Sequence, residues 1–227
     1  MVCGYAAGGL TDSSTRVIWE EAKKFLGVGV LVQNKPGASG MVGISYIISS
    51  ARPDGYTLGA ATDSDYLRSP HMLKLNFNPI KDTLPLIIYA STNNFIVVPK
   101  DSPLKTFKDL IDFAKANPGK LTYGHAGLGS AMYMAFAGVA QQLGLNVGYV
   151  TFPGDAPNLL AALGGHVMSA GISAAPCVPQ IKAGKLRALA VTNGEERIEA
   201  HPSGTDALRV YPTSECYTTF RPDDLWT

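Results

Sequence analysis

Tyr5-Ala6-Ala7-Gly8-Gly9-Leu10-Thr11-Asp12 is the stretch on which the reading of the chain turns, a glycine turn between a short apolar run and an amphipathic helix. Gly8 and Gly9 carry no Cβ, so the backbone can take φ > 0 and a ligand can come close to its N–H groups. The helix that follows begins near Asp12, and its first turn leaves unpaired N–H donors and the positive end of the helix dipole facing the same turn. That geometry suits a small anion such as a carboxylate. A tight strand-to-helix connection without any ligand has the same sequence, since α/β proteins contain many such turns.

Working outward, Ile18, Ala22, Phe25 and Leu26 recur at helical spacing through Leu26, with Glu20, Glu21, Lys23 and Lys24 on much of the opposite face and Gly27 as the stop. Val28 to Val32 reads as a short buried strand. Asn34 to Gly40 is a turn-rich loop into a second helix through Ile47 and Ile48, which ends at Arg52-Pro53-Asp54-Gly55 because Pro53 disfavours helical dihedrals at Arg52. Thr57 to Ala61 is a third strand, completing a βαβαβ series that implies a parallel sheet with helical crossovers. Pro70, Pro79 and Pro85 then interrupt any long period. Two apolar runs, Leu84 to Ala90 and Phe95 to Val98, are split by Ser91-Thr92-Asn93-Asn94, where a domain crossing is expected.

A second βαβ series follows. The pattern predicts a helix from Thr106 to Ala116, a strand from Leu121, helices at Ser130 to Leu143 and Ala156 to Leu163, and strands at Val147 to Phe152 and Val167 to Ile172. A short helix at Val178 to Ala183 stops at Gly184, and Leu186 to Thr192 is a strand that could return to the first half. The expected architecture is therefore two α/β lobes, residues 1–91 together with 193–227, and residues 92–192. From Leu121 through Ile181 the only charged residue is Asp155, so this half is either heavily buried or lines a shared cleft.

Composition limits the function classes. The 227 residues are 46% hydrophobic, enough for a packed core, and a net charge of +1 with 16% charged residues leaves no electrostatic footprint for nucleic acid. Cys3, Cys177 and Cys216 lie too far apart for a CxxC motif. No apolar run approaches the ~20 residues that span a bilayer, so no direct membrane insertion is expected. Met1 leads straight into the first apolar segment without a charged region or cleavage site, so if the protein is exported its signal peptide is expected to have been removed from this sequence.

The candidate chemistry is mostly that of the backbone. Gly127-Leu128-Gly129-Ser130 stands after a strand and before a helix, as Ala7-Gly8-Gly9 does in the first half, so two helix N-termini could face one ligand. Met132 takes the place of the third glycine of a dinucleotide fingerprint, and neither Gly119-Lys120-Leu121 nor Gly184-Lys185-Leu186 supplies the hydroxyl of a phosphate-binding loop. Ser130 reads as a helix N-cap that can also face a ligand. Ser173, in Gly171-Ile172-Ser173-Ala174-Ala175, misses the last glycine of a nucleophile elbow and reads as a structural or pocket residue. His71, His125, His166 and His201 form no HxxxH pair; His166 reads as a solvated turn residue and His125, near Gly127, as a pocket candidate. The sequence therefore predicts no catalytic residue, no metal site and no cofactor.

Ala6-Ala7-Gly8-Gly9 with Asp12 and Arg16, Asn34-Lys35-Pro36-Gly37-Ala38, Pro53-Asp54-Gly55-Tyr56-Thr57-Leu58, Gly127-Leu128-Gly129-Ser130, Gly154-Asp155-Ala156-Pro157 and the run Ala183-Gly184-Lys185-Leu186-Arg187-Ala188-Leu189-Ala190-Val191-Thr192 occur in a telling order. From about Tyr5 to Thr213 the chain resembles the Bug family, extracytoplasmic solute receptors of tripartite tricarboxylate transporters. The combination of motifs is much more specific than any one of them. The resemblance implies a two-lobed periplasmic-binding-protein (Venus flytrap) fold, each lobe a mostly parallel sheet flanked by helices, that closes on a small carboxylate, often with ordered water between. It also implies a periplasmic location and the transporter's membrane subunits as partners.

Departures from the family pattern bear on specificity. Tyr133 stands where relatives often have a histidine, Phe152-Pro153-Gly154 replaces the usual Tyr-Lys-Gly, and Pro212-Thr213-Ser214-Glu215 is one residue short of the family's motif. The family continues for several dozen residues that return to the first lobe, so a C-terminal part is missing relative to it. The expected ligand set is Tyr5, Ala7, Gly8, Gly9, Asp12, Asp63, Ser64, His125, Gly127, Gly129, Ser130, Tyr133, Phe152, Gly154, Asp155 and Ser173. Within it, the amides of Ala7-Gly8-Gly9 and of Gly129-Ser130 hold the carboxylate, Asp12 turns back to cap its helix, and Tyr133 with Asp63-Ser64 meets the ligand's far end. An enzyme or a ligand-sensing regulatory domain on the same scaffold is the alternative to a receptor.

Overall fold

The computed structural model describes residues 1–90 and 92–192, which build two separate sheets. The smaller has three strands, β1 (Val2–Cys3), β2 (Gln33–Asn34) and β3 (Gly59–Ala60), in the order β2-β1-β3 and all parallel. The larger has five, β4 (Asn94–Pro99), β5 (Thr122–His125), β6 (Gly148–Thr151), β7 (Ser169–Ser173) and β8 (Leu186–Thr192), in the order β6-β5-β7-β4-β8. Pairing is parallel among β6, β5 and β7, while β4 runs antiparallel between β7 and β8.

Helices connect the strands. Around the small sheet run α1 (Leu10–Leu26), a 3₁₀ turn at Ala38–Gly40, α2 (Met41–Ser50), a π-helical turn at Ser64–Arg68, α3 (Ser69–Met72) and α4 (Pro79–Asp82). The large sheet carries α5 (Phe107–Ala116), α6 (Ala131–Gln142), α7 (Asp155–Leu163) and α8 (Ala174–Lys182). α1 ends as its sequence predicts, with Gly27 left-handed (φ 68°) and its N–H returned to the Lys23 carbonyl. α5 opens on a reciprocal capping box: Thr106 Oγ1 accepts from the Asp109 N–H while Asp109 accepts from the Thr106 N–H.

Both packed apolar clusters among the described residues belong to the five-stranded sheet. β4 alternates: Ile96 and Val98 face Leu110, Tyr123 and Phe136 under α5 and α6, whereas Val97 faces Leu159, Ala162, Ile172 and Cys177 under α7 and α8. Tyr123 and Phe136 stack with centroids 4.2 Å apart.

Three sequence expectations need correction here. Val28 to Val32 forms no strand, and Val28 (60%) and Leu31 (81%) are exposed. β1 offers only Val2 and Cys3 as partners, and these pair with Gln33 and Asn34. Leu84 to Ala90 is likewise without strand pairing, and Leu84, Leu86, Ile87 and Ile88 are exposed. Leu186 to Thr192 does not return to the first half: it is the edge strand of the large sheet, because the six apolar-rich residues of β4 give it a longer partner than any strand of the small sheet. Residues 193–227, where Cys216, His201 and the Pro212-Thr213-Ser214-Glu215 motif fall, lie outside the described residues.

Candidate functional site

The first glycine turn leaves β1 and enters α1, and Gly8 takes φ 80° as a residue without Cβ can. Asp12, one turn into the helix and 3% exposed, points back at it. Its Oδ2 accepts the Gly8 N–H at 2.9 Å, and its Oδ1 accepts from Asn34 Nδ2 at 2.8 Å and from Arg16 Nε at 3.0 Å. These bonds outweigh the effect of burial and hold its carboxyl below the usual carboxylate range. The expected cap is therefore corrected: Gly9 is the N-cap and receives no side-chain bond, while Asp12 occupies the Gly8 amide that the cradle was to offer a ligand. The Gly9 N–H turns to the Ala6 carbonyl at 3.4 Å. The amides of Ala7, Leu10 and Thr11 have no partner among the described residues.

What faces this turn is the β6–α7 connection. Ala6 N–H donates to the Pro153 carbonyl at 3.2 Å, and a Cβ placed on Gly8 would come 3.7 Å from Ala156 Cβ. Gly154 (φ 149°) abuts Ala6, and a Cβ on it would lie 3.1 Å from the Ala6 nitrogen. Two helix N-termini, of α1 and α7, are thereby set against each other. Asp155, first residue of α7, accepts from Ser173 Oγ, yet burial outweighs that bond and raises its carboxyl above the ordinary range. Two unlike carboxylates flank the turn, Asp12 firmly ionised and Asp155 more easily protonated.

The second glycine turn follows β5 and opens α6, as read from the sequence. Gly127 packs on Ser39 and Gly129 on Ser69, both in the first half of the chain. Ser130 Oγ accepts the Tyr133 N–H, which makes it the N-cap of α6. Arg68, buried in the π-helical turn, donates from Nε to the Gly129 carbonyl at 2.7 Å, from Nη1 to Asp63 Oδ2 at 2.8 Å and from Nη2 to Ser64 Oγ at 2.6 Å. Asp63 and Ser64 thus hold a guanidinium that crosses to the other sheet's elements.

The remaining members of the expected set are distributed around these turns. Tyr5 Oη donates to Asp65 Oδ1 at 2.8 Å and lies 3.0 Å from Thr62 Oγ1. Burial is the main influence on the Asp65 carboxyl and pushes it up to about 7, against the bonds it accepts from the Thr62 N–H and Tyr5. His125 is fully buried: Gly127 N–H donates to its Nδ1 at 3.2 Å, so the neutral ring carries its proton on Nε2 toward Thr151 Oγ1 at 3.3 Å. Burial lowers its basicity. Tyr133 lies over the imidazole with centroids 4.6 Å apart, and Phe152 packs onto the apolar cluster under α7. A cavity of about 430 Å³ opens on the first half, lined by Tyr66, Pro70, His71, Lys74, Phe77 and their neighbours.

Sequence reasoning missed Asn34 as a ligand of Asp12, and Arg68, Ser69 and Ser39 as the residues that meet the second turn. Asn34 sits within a quoted motif, which was a usable signal; Arg68 and Ser69 follow Asp63-Ser64 without any spacing that marks them. Among the described residues no group of three or more His, Cys, Asp or Glu side chains is placed to hold a metal ion, and no helix is long and apolar enough to cross a membrane.

Residues 14–215 match the model of the tripartite tricarboxylate transporter family receptor. The chain belongs to that family. It is 42% identical over 203 residues to the "UPF0065 protein in gbd 5'region" of Cupriavidus necator, covering 89% of this chain and 61% of the relative. Among solved structures it is similar to "R. palustris Rpa4515 with adipate" (28% identity, TM-score 0.76, 86% of this chain and 65% of that one). It is also similar to MatC from Rhodopseudomonas palustris with bound malate (26%, TM-score 0.74, 86% and 66%). The fold is the two-lobed architecture of periplasmic binding proteins, and the chain spans less than two thirds of the length of these family members.

Proposed function

We propose that this chain binds a small carboxylate between its two lobes, without turning it over, for delivery in the periplasm to the membrane subunits of a tripartite tricarboxylate transporter. The observation that carries the reading is the abutment of the α1 and α7 N-termini. Two positive helix ends held side by side, with the Ala7, Leu10 and Thr11 amides unpartnered, favour an anion between them. Backbone donors do not titrate and are already oriented, which lowers the ordering cost of binding. The adipate and malate named on relatives of the same fold support a carboxylate as the ligand class. The lobes in this reading are residues 1–91 with 193–227, and residues 92–192, drawn together by the ligand.

A thermal-shift screen of mono-, di- and tricarboxylates, aromatic ones included, tests the reading. The expected result is a melting temperature that rises with the concentration of at least one acid, while mass spectrometry finds that acid unchanged after incubation. Gly8→Val should abolish the shift, since a β-branched side chain is strained at φ 80° and would crowd Ala156. No shift with any acid, or conversion of the acid, contradicts the proposal.

A further inference from the structure

Among the described residues Arg68 is the one buried arginine or lysine, 5% exposed. A guanidinium taken out of water is costly unless its donors are met. Two of its nitrogens are met from within the first lobe, Nη1 by Asp63 Oδ2 at 2.8 Å and Nη2 by Ser64 Oγ at 2.6 Å. Asp63 is itself fixed, because its Oδ1 accepts the Ser64 N–H at 2.8 Å. The guanidinium is planar and rigid, so holding both Nη atoms also sets the direction of Nε. That third nitrogen points out of its own lobe and donates to the Gly129 carbonyl at 2.7 Å.

The receiving side is shaped for a close approach. Gly127 takes φ 126° and packs on Ser39, and a Cβ placed on Gly129 would fall 2.5 Å from Ser69 Oγ. A side chain at either glycine would hold the two lobes apart and carry the carbonyl out of reach of Nε. The Ser130 N–H donates to the Gly127 carbonyl at 3.0 Å, which keeps the turn in shape. A second bond between the lobes, from the Ala6 N–H to the Pro153 carbonyl at 3.2 Å, lies at the α1–α7 contact and involves neither Arg68 nor the second glycine turn.

We propose that Arg68 is a latch between the lobes, its Nε–Gly129 bond aimed by Asp63 and Ser64 so that the closed arrangement is favoured by the chain's own atoms. A ligand then completes a closure that the latch already favours, and less of its binding free energy goes into bringing the lobes together. The latch itself rests on the two-lobed fold; its effect on binding rests on the function proposed above.

Hydrogen exchange of single amides, followed by NMR on the full 227-residue chain without added solute, tests the latch. The reporter is the Ala6 amide, which is bonded across the lobes and is freed when they part. Arg68→Met keeps an unbranched stem and loses every donor. It should speed exchange at Ala6 about tenfold or more, as expected for the loss of a hydrogen bond from a charged group. The amides of Lys35 and Gly148, each bonded within its own lobe to the carbonyls of Cys3 and Leu121, should keep their parent rates. Parent-like exchange at Ala6 overturns the latch, and so does a speeding confined to residues 64–69 and 129–130, which makes the guanidinium a local brace. If Lys35 speeds as well, the lobe has loosened and Asp63→Asn decides. That variant keeps an oxygen for the Ser64 N–H but sets an amide donor against Nη1, so the fork loses its aim. Ala6 should then exchange at least threefold faster than in the parent with Lys35 unmoved, and parent-like exchange at Ala6 overturns the proposal. No carboxylate enters the measurement, so failure of the latch and failure of the carboxylate reading are told apart.

Discussion

The carboxylate of Asp12 occupies a donor that lies open to a ligand on the sequence reading. Its bond to the Gly8 N–H stiffens the turn and leaves Ala7, Leu10 and Thr11 as the donors a ligand can use. Asp65 bears on stability. Its pKa of about 7 in the fold compares with about 3.9 in an unfolded chain, so the folded state holds the proton more tightly. The stability this contributes is fully present below about pH 4 and is lost as pH rises through about 7, an effect of the order of 4 kcal/mol at most. The melting temperature of the parent should therefore fall between pH 5 and pH 8, and that of Asp65→Asn should fall much less. Circular dichroism melts across this range check it, and an equally steep fall in the variant would show that Asp65 is not the titrating group. None of this is legible in the sequence: Asp63 and Asp65 look alike there, and only the packing of Tyr5, Thr62 and Gly40 around the second makes it a buried acid.

At the scale of elements, helices are legible and short strands are not. A helix satisfies most of its backbone bonds within itself, so periodicity and caps suffice to place α1, α5, α6 and α7 within a residue or two. A strand depends on what lies beside it, which is why Val28 to Val32 and Leu84 to Ala90 look like strands and are not, and why β8 joins β4. The glycine turns are legible as turns, but which turn meets which is a property of the lobes' arrangement. Ser130 follows the sequence reading as a cap. Because its Oγ is taken by the Tyr133 N–H, Ser130→Ala should lower stability by about 1 kcal/mol and leave ligand affinity nearly unchanged. Chemical denaturation and calorimetry separate the two effects; a large loss of affinity at unchanged stability would put the hydroxyl on the ligand instead.

As a whole the molecule is uneven. The two packed clusters lie on either face of the five-stranded sheet, whereas Phe25, Leu31, Leu84, Leu86, Ile87 and Ile88, all from residues 1–90, stand exposed. The family's motif order makes the two-lobed fold legible in the sequence; the closeness of α1 to α7, on which the binding account depends, comes from the packing of Ala6 and Gly8 against Pro153 and Ala156. Amide chemical-shift mapping by NMR, with the best acid from the thermal-shift screen, measures that claim most directly. The account predicts the largest shifts at Ala7, Leu10, Thr11, Asp155 and Ala156. Shifts concentrated instead around Tyr66, His71, Lys74 and Phe77, with those five amides unmoved, would place the ligand in the cavity they line and contradict it.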